Sequence, residues 1–291
     1  IGVLAALRLR APLVFDLQDI WPDAVAQLGI VTQPMLLRML EQVEHWIYRH
    51  SQALVVLSEG FRKNIETRGV SADRIVCIPN AVDASSHNDA RGDEVRARMG
   101  LSGDDTLVIY TGNLGLVQDL DLLLEAAIQL KDVTHIHFLL VGEGVQSEHL
   151  QKRAREEGLS QVRFLGHQPL EKIPELLAAS DVCFLTLRAG RYTPGTIPSK
   201  LYEYLAAGRS IVNTVEGDTA TTLEAAGAGL SLPSGDVQAL VEVLRHLHHQ
   251  PALRKQLGSA GRHYLLQSAS MEVIGRRYEA LLEQQVQASR S

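Results

Sequence analysis

Lys200 and Glu203 stand three residues apart in TPGTIPSKLYEYLAAG, residues 193–208. That spacing puts them on neighbouring positions in the first turns of a helix. Pro194 and Gly195 mark a turn before it, Ser199 is placed to cap it, and Gly208 to end it. A cation beside a helix start suits a diphosphate, and a carboxylate one turn along can accept both hydrogens of a ribose diol. The pair also reads as a solvated Lys–Glu contact of little worth, so the residues alone leave both open. A second candidate is YTGNLGLVQDL, Tyr110–Leu120, a strand entering a two-glycine loop and then a helix from about Asp119. Gly112 and Gly115 would let backbone approach a ligand, and unpaired amides at a helix start attract anions. It is neither a Walker loop nor a dinucleotide fingerprint, and an ordinary strand–helix turn would read the same. Third, Asp19 follows VFDLQ and precedes Trp21-Pro22. It either faces the crevice at a strand's C-terminal end or caps the next turn.

Other polar residues carry less. His246 and His249 share a helix face, but a metal site there would need another ligand, and solvent-facing residues are the simpler reading. Ser58 in LSEGF lacks a nucleophile elbow. Cys77 and Cys183 sit in apolar stretches and read as buried small hydrophobes, which suits a reducing cytosol. A formal net charge of -6 argues against dedicated nucleic-acid binding. No apolar run approaches the roughly 18 residues that span a bilayer.

The elements that must position these residues alternate along the chain. PLVFDLQ, ALVVLS, RIVCIP, TLVIYTG, HIHFLLVG, VRFLG, DVCFLTL, SIVNT and AGLSLP read as buried strands. Helical periodicity lies between most of them, so the expectation is an α/β fold of parallel sheets covered on both faces. The helix from Pro34 to Tyr48 has Met35, Leu36, Met39, Leu40, Val43, Trp46 and Ile47 apolar and reads as core, with a membrane surface as the alternative. The polar, charged stretch 83–105 has the composition of a connection. The expected division is a first domain over 1–88, a second over 89–270, and a terminal helix over 271–291 that could pack back on the first. The start, IGVLAALRLR, opens as though inside a helix and without Met, so the first domain is expected to be incomplete.

Several segments together carry a resemblance. SKLYEYLAAGRSIV, IPNAVD at 78–83, YTGNLGLVQDLDLLLEA, LVGEG at 140–144 and FLGHQP at 164–169 resemble the family 4 glycosyltransferases. VFDLQDIWPDAV and HWIYRHSQALVVLSEGF are similar to the branch that builds bacterial exopolysaccharides and O-antigens, and the likeness covers essentially the whole chain. It implies the GT-B fold of two Rossmann-like domains. It also implies retaining transfer of a sugar from a nucleoside diphosphate sugar, UDP-sugar favoured, to a saccharide or polyprenyl-diphosphate-linked acceptor. No metal or other cofactor is implied. The place would be the cytoplasm, at the inner face of the plasma membrane, with peripheral membrane contact.

Carried over residue by residue, Glu203 matches the second acid of the family's E-x7-E motif, which binds the ribose. The first acid falls at Gly195, so an amide of the Gly195, Thr196, Ile197 loop is expected to serve instead. The family's phosphate-clamping Arg and Lys fall at Asn113 and Gln118, leaving Lys200 as the cation; Arg188 and Arg191 read as a surface loop, with assistance to Lys200 as the alternative. Ser199 is expected to give its backbone N–H to a phosphate, Gly112 and Leu201 join the donor-binding set, and Gly166 and His167 match the loop that holds the base. Asp19 matches a His-Asp pair near the acceptor, with Gln18 in place of the histidine, so Asp19, Lys200 and Glu203 are the catalytic candidates. Nucleotide-sugar 2-epimerases share this fold, and a non-catalytic nucleotide-sugar module is the other alternative. Turnover without acceptor would mark the first, binding without turnover the second.

Overall fold

The computed structural model describes residues 1–20, 26, 33–88, 90–190 and 195–289. The chain divides into two compact units, one formed by Ile1–Ala81, Gly190–Ile197 and Met271–Ser291, the other by Val82–Ala189 and Pro198–Ser270. Arg191, Thr193, Pro194 and Trp21-Pro22 lie outside the described residues.

In the first unit, α1 (Gly2–Leu9), β1 (Val14–Leu17), α2 (Pro34–His50), β2 (Ala53–Val56), α3 (Glu59–Thr67) and β3 (Ile75–Cys77) follow one another. Among the described residues the strands form a parallel sheet in the order β1-β2-β3. All four residues of β2 are buried because both faces of the sheet are covered. Leu54 and Val56 pack with Phe61, Ile65 and Tyr48, while Ala53 and Val55 pack with Ile274 and Leu281 of the terminal helix Met271–Ala288. That helix is tied down by Arg277 donating to the Cys77 carbonyl (2.6 Å) and by the Tyr278 hydroxyl donating to Asp16 (2.9 Å). Cys77 is only half-buried, against the expectation of a buried one, while Cys183 is fully buried. The core reading of α2 also fails in part. Met35, Met39, Val43 and Trp46 stay exposed, because Tyr48 is the one residue of this helix that reaches the core cluster among those described.

The second unit adds α4 (Gly92–Met99), β4 (Thr106–Thr111), α5 (Asp121–Gln129), β5 (Ile136–Val141), α6 (Ser147–Glu156), β6 (Val162–Gly166) and α7 (Ile173–Ala179). It continues with β7 (Val182–Leu185), α8 (Lys200–Ala206), β8 (Ser210–Asn213), α9 (Asp218–Ala226), β9 (Gly229–Ser231), α10 (Val237–His249) and α11 (Pro251–Ser268). Its described strands pair in parallel in the order β6-β5-β4-β7-β8-β9. The order reverses between β4 and β7, and open α/β sheets bind ligands at the carboxyl ends of strands beside such a reversal. Every residue of β4 is buried, as a central strand covered on both faces requires.

The stretch 83–105 is more than a connection. It contains a short 3-10 turn, Ala84–His87, and α4, both belonging to the second unit. Arg96 holds it in place, donating to the carbonyls of Ala179 (3.0 Å), Ser102 (2.7 Å) and Asp105 (2.7 Å) and to the Asp181 carboxylate (2.9 Å). Polar composition marked the segment as surface, and these charge-assisted bonds act together with the buried Ala84 and Val95 to fix it.

Candidate donor site

The carboxyl ends of β4, β5 and β6 are stitched together by backbone. Gly112 N–H donates to Val141 (2.9 Å), Leu114 to Glu143 (2.9 Å), and Gly142 to Gly166 (2.8 Å). Gly112 and Gly142 have φ of 125° and 131°, values that strain any residue with a Cβ. A Cβ on Gly142 would also lie 1.9 Å from the Gly112 carbonyl oxygen. The result is a floor of bare main chain at the sheet's reversal point.

Across this floor lies α8. Leu201, Tyr204, Leu205 and Ala206 are fully buried, and the Tyr204 hydroxyl accepts from the Thr111 amide at 3.0 Å, locking the helix to β4. What remains on the open side is Lys200 and Glu203, the i,i+3 pair of the sequence. Lys200 Nζ donates to the Tyr110 hydroxyl at 2.6 Å and sits 4.0 Å from that ring's centroid. It lies 3.0 Å from where a Cβ on Gly112 would be, so the missing side chain is what admits it. Burial pushes the Lys200 ammonium down to about 7 from its ordinary value. Among the described residues no carboxylate forms a salt bridge with it. An enclosed cation of this kind gains most from an anionic ligand. Glu203 meets the buried His87 at 3.3 Å, a contact that no local spacing signals because 116 residues separate the two.

Both side chains line a cavity of about 950 Å³, within the size range of small-molecule sites. Gly112, Asn113, Gln118, Gly142, His167 and Ser199 line it too. Gln118 places a buried carbonyl oxygen there that no group bonds among the described residues. His167 is exposed, its amide 3.4 Å from Glu143 Oε1, and Gly166 turns the chain with φ 66°.

Some expectations need correction. Ser199 occupies the cap position but has helical backbone angles, φ -54° and ψ -31°, and its side chain makes no capping bond. The tight first turn leaves the capping role unfilled, since the Leu201 amide already donates to Pro198 (2.9 Å) and that of Tyr202 to Ser199 (3.1 Å). The side chain of Leu201 belongs to the core and does not face the cavity. The helix after the Gly112 loop starts at Asp121; Asp119 itself has φ 49° and pairs with Arg188 at 3.1 Å. That pair occupies Arg188, which is not among the residues lining the cavity. Ser58 caps α3, accepting from Phe61 N–H, and donates to the Gly195 carbonyl at 2.6 Å. Among the histidines, His248 bonds Thr106 at 2.9 Å.

Asp19, Gly195, Thr196 and Ile197 belong to the first unit, the other candidates to the second. Asp19 borders a separate cavity of about 410 Å³ with Leu40, Val43 and Ile47, and partial burial raises its carboxyl above the ordinary value. Gly195 has φ 91°, and a Cβ on it would lie 2.6 Å from the Phe61 amide nitrogen.

Residues 92–264 match the family model described as glycosyl transferases group 1, and residues 1–81 match a glycosyl transferase 4-like domain. The chain belongs to the group 1 glycosyl transferases. This group 1 chain is 26% identical over 288 residues to an Escherichia coli (strain K12) protein named for colanic acid biosynthesis, the glycosyl transferase WcaI, covering 94% of the chain and 69% of that protein. To WbjE of Pseudomonas aeruginosa, named as a glycosyltransferase, it is 25% identical, covering 79% of the chain and 58% of that protein. Other curated relatives are spanned over 61% and 52% of their length. Among solved structures, Anabaena Alr3699/HepE in complex with UDP superposes with a TM-score of 0.82 at 20% identity, over 97% of this chain and 75% of that one. The expected α/β, GT-B fold is thus met.

Proposed function

We propose that the second unit holds a nucleoside diphosphate sugar, UDP-sugar favoured, with the diphosphate at Lys200, the ribose at Glu203 and the base beside Gly166 and His167. One observation carries this reading: an enclosed ammonium and a half-exposed carboxylate share one wall of a cavity whose floor is bare main chain. The Anabaena protein was solved in complex with UDP, which supports the choice of nucleotide. The acceptor proposed is a saccharide or polyprenyl-diphosphate-linked saccharide in cell-surface polysaccharide synthesis; the name of the Escherichia coli relative, for colanic acid biosynthesis, supports the polysaccharide setting.

In the proposed reaction the sugar's anomeric bond to the diphosphate breaks while the acceptor oxygen bonds the same face, with retention. Negative charge grows on the leaving phosphate, where Lys200 neutralises it and the Gly112 floor admits it closely; such preorganised charge lowers barriers most. The acceptor's proton passes to that phosphate, and no metal is required. Asp19, at the end of β1, is proposed to touch the acceptor. The exposed side of α2 (Met35, Met39, Val43, Trp46) supports a peripheral place at the inner membrane face, and no described helix is long and apolar enough to cross a membrane.

Calorimetry with UDP-, GDP- and ADP-sugars tests the reading. Expected is micromolar binding of one nucleotide class, lost in both Lys200→Ala and Glu203→Ala and unchanged by a chelator. Wild-type affinity in both variants would refute the site. Neutral side chains at Asn113 and Gln118, where the family has cations, favour a second reading: a module that binds the donor without transferring it. Binding without turnover in a chain of full family length would select it.

A further inference from the structure

The 3-10 turn Ala84–His87 is firmly built. Asp83 caps it, accepting from the Ser85 amide (2.9 Å) and hydroxyl (2.6 Å), and Val82 N–H donates to the Ala269 carbonyl at 3.3 Å. Next to it, the Arg262 guanidinium bonds the Asn88 side chain, and the turn packs on both α7 and α8. At its end the His87 side chain is only 1% exposed, with Nε2 3.3 Å from Glu203 Oε2. Its other ring nitrogen, Nδ1, is buried and has no partner among the described residues.

Such an arrangement is costly. A buried polar atom without a partner loses its hydration for nothing in return, and an apolar ring would fill the same space without that loss. What the imidazole adds is a single directed contact with the carboxylate that lines the cavity. With the proton on Nε2, the ring donates to Glu203, and Nδ1 is a bare lone pair, the less costly of the two groups to bury. Glu203 otherwise has several staggered rotamers available on a helix surface, and its side chain is 45% exposed. Fixing one oxygen leaves the other, and the remaining lone pair of the first, to accept hydrogen bonds from a ligand.

We propose that His87 is a positioning residue for donor binding: its Nε2–H pins the Glu203 carboxylate so that it meets the two vicinal hydroxyls of the nucleotide's ribose. This rests on the reading of Glu203 as the ribose acid. The sequence gives no hint of it, because His87 lies in the polar stretch taken for a connection.

The test compares UDP with 2′-deoxy-UDP by calorimetry on the whole chain, with inorganic diphosphate as a probe of the Lys200 end. Hydrogen bonds to a charged group set the expected wild-type preference for UDP at about 10- to 100-fold. His87→Phe, which fills the volume without a donor, should reduce that preference to within about threefold while diphosphate binds as in wild type. His87→Gln, whose amide can donate from a similar place, should restore most of it. Glu203→Gln should lose the preference as His87→Phe does. A wild-type preference in His87→Phe, alongside its loss in Glu203→Gln, overturns the role of His87 alone. Equal loss of diphosphate and nucleotide binding in His87→Phe overturns it too, showing a scaffold residue. No preference in wild type removes the ribose reading of Glu203, and the inference with it.

Discussion

Donor binding should draw a proton into the protein, and Lys200 is the group that takes it. Enclosed against Tyr110 and the Gly112 notch, its ammonium titrates at about 7 when no anion is present. At pH 8 only about a tenth of the molecules then carry the charge. A diphosphate diester does not itself titrate between pH 6 and 9, and bound beside Lys200 it holds the ammonium charged. Close to one proton is therefore taken up per donor at pH 8, and about 0.1 at pH 6. The apparent Kd should rise roughly tenfold per pH unit above pH 7.5, about 1.4 kcal/mol for each unit. Calorimetry in buffers of differing ionisation enthalpy counts the proton directly. Lys200→Arg, always charged, should bind more weakly with no uptake. The ligand-free protein shows the opposite face of the same linkage. The native Lys200 value lies below the unfolded one, so the unfolded chain binds more protons between about pH 7 and 10.5, and stability rises with pH across that window. Below pH 7 the full cost of the buried charge is present, and Lys200→Met should relieve on the order of 1–3 kcal/mol there while abolishing donor binding. No proton uptake at pH 8, together with a pH-independent Kd from 6 to 9, would refute the reasoning.

Gly112→Ala places a methyl 3.0 Å from Lys200 Nζ on a backbone with φ 125°, so donor affinity should fall at least about tenfold while circular dichroism stays native. Gly195→Glu restores the acid of the family motif but sets its Cβ 2.6 Å from the Phe61 nitrogen, so a melting curve should show a loss of about 2 kcal/mol or more and no gain of turnover. Arg96→Ala strips three carbonyls and Asp181 of a partly buried cation and should cost about 2–4 kcal/mol by urea unfolding. Burial pushes the Cys183 thiol up to about 12, so it should resist alkylation at pH 8 until the chain is unfolded in urea.

The strands and the sheet class were legible in the sequence because a parallel strand buried on both faces, such as TLVIYT, has no charged residue to disguise it. The Lys200–Glu203 pair was legible because helical spacing alone brings the two together. Helix ends were less so: Ser199 looked like a cap, yet the turn closes through Pro198 and Ser199 carbonyls instead. Contacts between distant segments left no local trace. Nothing near Tyr110 reveals that a lysine 90 residues on will donate to it, and nothing in a polar stretch reveals that His87 faces Glu203. The exposure of α2 stood only as the alternative reading, because periodicity shows which side of a helix is apolar, not whether a partner covers it.

The stitched glycine floor also constrains how this protein can change over generations. A Cβ on Gly142 would lie 1.9 Å from the Gly112 carbonyl oxygen, so a library randomised at residue 142 should return glycine alone, for any methyl there would push two neighbouring strands apart. A lineage exploring new sugars is thereby steered to the rim, where Asn113, Gln118 and His167 can be exchanged without disturbing the sheet beneath.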